Sequence, residues 1–312
     1  MTIHFGVTLP QIKRAWDETR TAALEFERLG FDSVWLNDHL YGIPGPQIPI
    51  LEAWTTLSAV GAITERVQLG TLVSPVGFRN PALLAKMAAT LDQITGGRVI
   101  VGLGGGWFQM EFTGYGFEFP SLRARLQQLD EAATLMKQMW TDSQPSFHGQ
   151  HFAIDAVFCE PKPVRRPPIL IGGGGEKVLL RLAAQHADIW NNLAVHQGEL
   201  GTKVDRLREH CRAIDRDPES ITISQQCLIV IGENEPDATA KVERARQIYG
   251  GHLGAGGPHS IAGTAVQCID KIRAHIALGC TMFIIEFFGR DTREPARLFA
   301  EQVMPAFRSS SP

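Results

Sequence analysis

The chain has 312 residues, of which 44% are hydrophobic and 20% are charged, and its formal net charge is −3. This is the composition of a globular protein that buries a large core. Because lysine and arginine form no dense cluster, we expect neither nucleic acid nor an anionic membrane surface as a partner. The length fits two domains or one α/β barrel.

Cysteine and histidine usage excludes two further classes of protein. The five cysteines are an odd number without C-x-x-C spacing, which predicts reduced thiols, a cytoplasmic protein and no disulfide framework. The histidines show neither H-x-x-x-H nor H-E-x-x-H spacing, so no metal site is predicted. The N-terminal residues lack the pattern of an export signal, and no apolar run has the length of a membrane helix.

Strand-like and helix-like segments alternate along the whole chain. Asn80 and Pro81 mark the start of one helix, and the clearest helix covers 121–140, where leucines and other apolar residues recur every three or four positions. Such alternation predicts an α/β fold, a (β/α)8 TIM barrel. A doubly wound sheet is disfavoured because the first turn, "LPQIKRAW", has no G-x-G-x-x-G. The eight strand segments are 3–9, 31–38, 67–73, 98–104, 169–173, 188–192, 221–231 and 281–289.

Two segments do not fit the barrel repeat and are predicted to be loop insertions. Residues 141–167 are polar and proline-rich, which indicates a short hairpin and a loop before the fifth strand. Residues 249–263 are rich in glycine and predict a mobile loop at the exit of the seventh strand. We expect residues 1–312 to form one domain that includes both insertions.

Glycine clusters follow the fourth and fifth strands, in "GLGGGWF" (102–108) and "GGGGEK" (172–177). The second cluster is predicted to open directly onto a helix that starts at Glu176. Unblocked amides at a helix N-terminus bind anions, whereas a tight turn is the other reason for such glycines. Two clusters in adjacent units favour a ligand that carries a phosphate. A P-loop is excluded because no G-K-[ST] follows.

Other candidate residues lie where strands end. His39 follows the second strand and is a candidate acid/base or donor to a ligand ring. Asp38 has three open roles: it orients the imidazole, accepts a ligand N–H or caps a loop. Val73 places an apolar surface at the barrel mouth, or it only packs. Glu286 is the one charge in "TMFIIEFFG", and the sequence leaves open whether it is paired inside the barrel or faces a polar helix.

Several stretches resemble the bacterial luciferase-like flavin oxidoreductase superfamily, in particular its branch that uses the deazaflavin coenzyme F420. They are "LGFDSVWLNDHL", "VQLGTLVSPVGFRNPALLAKMAATLDQITGGRVIVGLGGGW", "CEPKPVRRPPILIGGGGEK" and "HADIWNN", and the resemblance runs from residue 3 to about 300. It implies a TIM barrel with a flavin or deazaflavin across its mouth, and a homodimer. It also implies a non-proline cis peptide, Leu72–Val73, beneath the ring, with Asp38 and His39 beside the ring. The cofactor phosphate is expected on Gly104, Gly105, Gly106, Gly172, Gly173, Gly174, Gly175 and Glu176.

The chain departs from the sugar-phosphate dehydrogenases of this superfamily at two positions. Their proton-donating carboxylate after the fourth strand is replaced by Trp107, and their phosphate-binding lysine after the sixth strand falls at or near His196. Oxidation of glucose 6-phosphate is therefore not expected. A bulkier or more apolar substrate in contact with Trp107 and His196 fits better.

The resulting hypothesis is an F420-dependent oxidoreductase that transfers a hydride between the deazaflavin and a small organic substrate. The first alternative is an FMN-dependent monooxygenase supplied with reduced flavin by a separate reductase. The second is a non-catalytic protein that binds flavin or deazaflavin. A barrel aldolase or isomerase is disfavoured because no strand segment carries a Schiff-base lysine.

Overall fold

Eight parallel strands close into a barrel in the computed structural model, which describes residues 2–250 and 252–308. Each strand pairs with the next in chain order, and the eighth pairs with the first. The predicted TIM barrel is confirmed, with strand ends within two residues of those expected. The strands are β1 (His4–Thr8), β2 (Ser33–Leu36), β3 (Gln68–Thr71), β4 (Val99–Gly104), β5 (Ile169–Gly172), β6 (Ile189–Asn192), β7 (Thr222–Ile231) and β8 (Met282–Phe287).

Ten α-helices of the described residues surround the barrel or follow its strands. The side chain of Asn80 accepts the N–H of Ala82 at 2.8 Å, so the predicted N-cap is confirmed. No helix of the described ranges is both long and apolar enough to cross a membrane. The helices are α1 (Trp16–Arg28), α2 (Ala53–Ile63), α3 (Pro81–Thr95), α4 (Gln109–Gly114), α5 (Leu122–Thr141), α6 (Leu179–His186), α7 (Leu200–Arg212), α8 (Glu235–Tyr249), α9 (Ala265–Ala277) and α10 (Arg293–Gln302).

The barrel interior is filled by side chains that alternate with those facing the helices. Trp35 is the largest of them, and it fits because two neighbouring strands carry glycine beside it. A Cβ on Gly6 or on Gly70 would lie 2.4 Å or 2.2 Å from the indole ring. The other buried apolar residues of this interior cluster are Leu72, Ile100, Leu170, Ile189, Met282 and Ile284. Together they form a closed floor below the mouth of the barrel.

A bulge follows β3, where the Leu72–Val73 peptide bond is cis, as the resemblance implied. The Val73 side chain reaches over the backbone of β4 and β5. A Cβ on Gly104 would lie 2.6 Å from Val73 Cγ2, and one on Gly172 would lie 3.0 Å from Cγ1. Bare backbone is thus required at these two positions by the close approach of Val73. Gly104 and Gly172 were expected to contact a cofactor phosphate, and their packing against Val73 was not predicted from the sequence.

The insertions differ from expectation in one respect. A two-stranded antiparallel hairpin, Phe147–His148 with Ala153–Ile154, lies between α5 and β5. The glycine-rich loop, however, does not leave β7 directly: α8 comes first and covers the end of β7. Position 251 of that loop lies outside the described residues, and the loop then forms a 3-10 turn and a short strand, Ala262–Gly263, beside β7. The single domain over 1–312 stays a prediction.

Gly104→Ala tests the packing of Val73. We expect it to lower the free energy of unfolding by about 1–3 kcal/mol, because the new methyl group overlaps Cγ2 of Val73. Gly105→Ala is the matched control, since its Cβ would meet nothing closer than Leu126 at 3.7 Å. Urea denaturation measures both variants. Equal losses would contradict the role given to Val73, as would failure of Val73→Ala to restore stability to Gly104→Ala.

Candidate active site

The loops after β2 and β4 bring an imidazole and a carboxylate together at the carboxyl end of the barrel. Nδ1 of His39 lies 2.8 Å from Oε1 of Glu111 on α4. The other oxygen, Oε2, accepts the backbone N–H of Leu40 at 2.9 Å. A carboxylate on Nδ1 fixes the imidazole ring and leaves Nε2 to exchange protons. No group in the described part of the chain hydrogen-bonds to Nε2.

Glu111 was not predicted from the sequence as a candidate site residue. It is 1% exposed and lies 72 positions after His39, and only the fold joins the two. Trp107 replaces the carboxylate of the sugar-phosphate dehydrogenases, but another carboxylate, Glu111, follows four residues later on the same segment. An acidic residue in the short helix after a glycine-rich strand end was the available signal.

Asp38 does not hold the imidazole, which corrects one of the roles considered for it. Its carboxylate is fully buried and accepts hydrogen bonds from both terminal nitrogens of Arg79, at 2.7 Å and 3.1 Å. It also accepts the hydroxyl of Ser74 at 2.6 Å. Burial raises the pKa of Asp38, and Arg79 opposes the rise. Because Ser74 follows Val73 and His39 follows Asp38, this hydrogen bond ties the catalytic candidate to the bulge.

Aromatic side chains lie beside His39. Trp107 is 60% exposed, and its ring meets the imidazole edge-on at 5.8 Å. Its indole is stacked on Phe108, with centroids 5.3 Å apart. One side of Trp107 is thus fixed by packing and the rest is accessible, which suits a wall for an apolar substrate. Contact of Trp107 with substrate stays a prediction.

The two glycine loops present unused backbone donors on adjacent strands. In the described ranges, the amides of Gly105, Gly106, Gly174 and Gly175 donate to no protein acceptor. The helix does not begin at Glu176 as expected, because a three-residue turn comes first and α6 starts at Leu179. Unpaired amides remain a suitable site for a phosphate even without that helix end. Gly173 is different, since its N–H bonds to the carbonyl of Asn191 at 3.2 Å.

His196 lies against the β5 loop together with Lys203, which was not predicted from the sequence. Nδ1 of His196 is 3.1 Å from Glu199, which also binds Lys203 at 2.8 Å. Lys203 is 3% exposed and donates to the carbonyl of Gly174 at 2.7 Å. This cluster therefore fixes the shape of the glycine loop. Binding of substrate by His196 stays a prediction.

Glu286, left open by the sequence, faces the interior of the barrel. Met282 and Ile284 belong to the interior layer, so the next residue of the same parity on β8 points to the mouth. Among the described residues its carboxylate has neither a hydrogen bond nor an ion pair. Burial raises the pKa of Glu286 to about 7. Glu286 is therefore an uncompensated acid at the mouth.

Comparison with known proteins identifies the family. The sequence profile described as "Luciferase-like monooxygenase" matches residues 1–282. The chain belongs to the luciferase-like monooxygenase family. Among its relatives, the F420-dependent glucose-6-phosphate dehydrogenase of Nocardia farcinica is 29% identical over 91% of both chains. That of Microbacterium testaceum is 27% identical over 90% of both.

Solved structures of other enzymes share this luciferase-like fold over almost the whole chain. An F420-dependent secondary alcohol dehydrogenase in complex with an F420-acetone adduct superposes with a TM-score of 0.85, at 24% identity over 99% of this chain and 100% of that one. The F420-dependent tetrahydromethanopterin reductase of Methanopyrus kandleri superposes with a TM-score of 0.82, at 19% identity over 99% of this chain and 100% of that one. A monooxygenase of Streptomyces bottropensis superposes with a TM-score of 0.81, at 21% identity over 98% of this chain and 100% of that one.

The described residues contain no group of three or more histidine, cysteine, aspartate or glutamate side chains that could hold a metal ion. All five cysteines are buried and free.

Replacing Glu286 by glutamine is expected to change how stability depends on pH. The folded protein holds the Glu286 proton with a pKa of about 7 against the ordinary 4.5, so it binds that proton more tightly than the unfolded chain does. Stability of the wild type should therefore fall, relative to Glu286→Gln, as the pH rises from about 4.5 to about 7, by about 1–3 kcal/mol. Urea denaturation across this range measures the difference, and parallel profiles would refute it.

Proposed function

We propose that this protein is an F420-dependent oxidoreductase that transfers a hydride between the deazaflavin and a small organic substrate. One observation carries the proposal: an imidazole with a free Nε2, held by Glu111, stands beside an apolar bulge and two loops of unpaired amides. The relatives named F420-dependent dehydrogenases, which align over nine-tenths of the chain, support it.

The residues present fit such a cofactor. Gly105, Gly106, Gly174 and Gly175 offer backbone donors for its phosphate, while Lys203 and Glu199 hold the second loop in shape. Val73 offers an apolar surface for one face of the ring. When bound, F420 supplies a carbon that accepts or donates a hydride.

The protein's own part in the reaction is to move one proton. In alcohol oxidation, the substrate hydroxyl proton passes to Nε2 of His39 as the hydride leaves the adjacent carbon. Glu111 accepts a hydrogen bond from Nδ1–H and stabilises the imidazolium that forms when Nε2 is protonated. Asp38 serves as a positioning residue, because its bonds to Arg79 and Ser74 hold the two loops together. Trp107 forms an apolar wall, and His196 borders the cofactor loop.

A cytoplasmic homodimer acting on a small molecule is part of the proposal. Reduced, buried cysteines agree with a reducing compartment. Exposed apolar side chains such as Leu83 and Ile94 on α3, each 56% exposed, agree with an interface between two copies.

An FMN-dependent monooxygenase is the second candidate, because monooxygenases share the fold with similar TM-scores. It would need reduced flavin from a separate reductase. The same amides and the same apolar bulge suit both cofactors, so only binding separates the two candidates.

Titration of the purified protein with F420 and, separately, with FMN tests the cofactor. We expect F420 to bind with a dissociation constant in the range of about 1 μM or below and FMN to bind at least about 10-fold more weakly. Quenching of cofactor fluorescence measures both constants. Gly174→Val, which places a bulky side chain against Lys203, should weaken F420 binding. Tight FMN binding without F420 binding would favour the monooxygenase instead.

His39→Ala should lower the rate of F420 reduction by a secondary alcohol by about 10²–10⁴-fold, since it removes the proton acceptor. Glu111→Gln should cause a smaller loss, because the amide still holds the ring but no longer stabilises its charge. Loss of cofactor absorbance measures the rate, and F420 affinity should stay unchanged. The exposed Glu118→Gln is the control. F420 binding without turnover, unaffected by His39→Ala, would indicate a non-catalytic binding protein.

A further inference from the structure

The mouth of the barrel carries one acid that the proposed chemistry leaves unused. Glu286 lies at the carboxyl end of β8, two residues beyond Ile284 of the interior layer. Its flanking residues, Ile285 and Phe287, are buried on the opposite face against the helices. Glu286 is nevertheless partly exposed, so solvent reaches it from the mouth side.

The neighbours of Glu286 are apolar or only weakly polar. Leu228 lies beside it in the β7 register. On β1, the Thr8 hydroxyl donates to the carbonyl of Ile285 instead of to the acid. Tyr249, the last residue of α8, is close enough that burial and the Glu286 charge raise its pKa to about 12. These groups neither neutralise Glu286 nor hydrogen-bond to it.

Several cations of the surrounding loops are engaged with acids other than Glu286. Arg79 binds Asp38 and Glu52, and Lys203 binds Glu199. Arg14 and Arg290, nearer to the end of β8, share Glu18. In the part of the chain that the structure describes, no arginine or lysine pairs with Glu286, so an anionic substrate would meet an uncompensated carboxylate there.

We infer that Glu286 determines the substrate class of this site: it favours a small substrate that presents an ammonium or another hydrogen-bond donor, and it excludes phosphorylated and other anionic substrates. The physical basis is that a carboxylate in a partly desolvated mouth attracts a cation and repels an anion more strongly than it would in water. The inference rests on the proposed function, since it concerns the substrate pocket of the same site. It separates this chain from relatives named for glucose 6-phosphate.

A matched pair of ligands tests the charge preference directly. Cyclohexylammonium and cyclohexanecarboxylate have similar shape and opposite charge, and calorimetry at about pH 8, where Glu286 is largely ionised, measures their binding to the protein with and without F420. We expect wild type to bind the ammonium at least about 10-fold more tightly. Glu286→Gln should lose most of that preference. Glu286→Asp, which keeps the charge, and the exposed Glu301→Gln should retain it.

Three results would overturn the inference: equal binding of the two ligands by wild type, no binding of either, or a preference that survives in Glu286→Gln. Circular dichroism of each variant shows that it is folded. If Glu286→Gln is not, the preference of the wild type is compared at about pH 5.5 and about pH 8, because protonation of Glu286 should abolish it. Glucose 6-phosphate should not reduce F420 in the presence of wild type. If it did, the inference would fail while the proposed function stood. If F420 did not bind at all, the proposed function would fail, and the ligand pair would still report on Glu286.

Discussion

The close approach of Val73 to the backbone of β4 and β5 is the constraint on which the site depends. The bulge that carries Val73 can cross the mouth only because Gly104 and Gly172 have no Cβ beneath it. The next residue, Ser74, donates to Asp38, and so the bulge also sets the position of His39. One steric requirement thus links the apolar surface, the glycine loops and the imidazole. None of these parts could shift without displacing the others.

The three carboxylates of the site differ in whether neighbouring donors compensate their charge. Asp38 and Glu111 are buried, and each is surrounded by donors that compensate its charge: Arg79 and Ser74 for one, His39 and a backbone amide for the other. Such hydrogen bonds and ion pairs offset the free-energy cost of burying a carboxylate. Glu286 lacks it, and its proton is held more tightly as a result. A fold that leaves one acid unpaired at its mouth has a charge available for something that is not part of the chain.

The sequence predicted the barrel well because its eight strands are bounded by local signals such as the Asn80–Pro81 cap, and because strand alternation is a local pattern. His39 was also predictable, from its place at a strand end. Glu111 was not, since its partner lies 72 residues away and only the closed barrel joins them. The packing constraint on Gly104 was not predicted, because the methyl groups of Val73 that impose it come from the bulge after another strand. The start of α6 was placed three residues early because no side-chain cap marks it.

The position of α8 has a consequence for how such a protein diversifies. The groups assigned to the cofactor and to proton transfer follow strands β2 to β6. Leu228 and Glu286 lie on β7 and β8, and α8 follows β7 and covers its end. The segment that contains α8 lies between β7 and α9, and among the described residues it joins the sheet through the pairing of Ala262–Gly263 with β7. Replacement or remodelling of this one segment alters the wall of the pocket at little cost to the barrel. The substrate specificity can therefore change while the cofactor site and the proton-transfer residues stay the same.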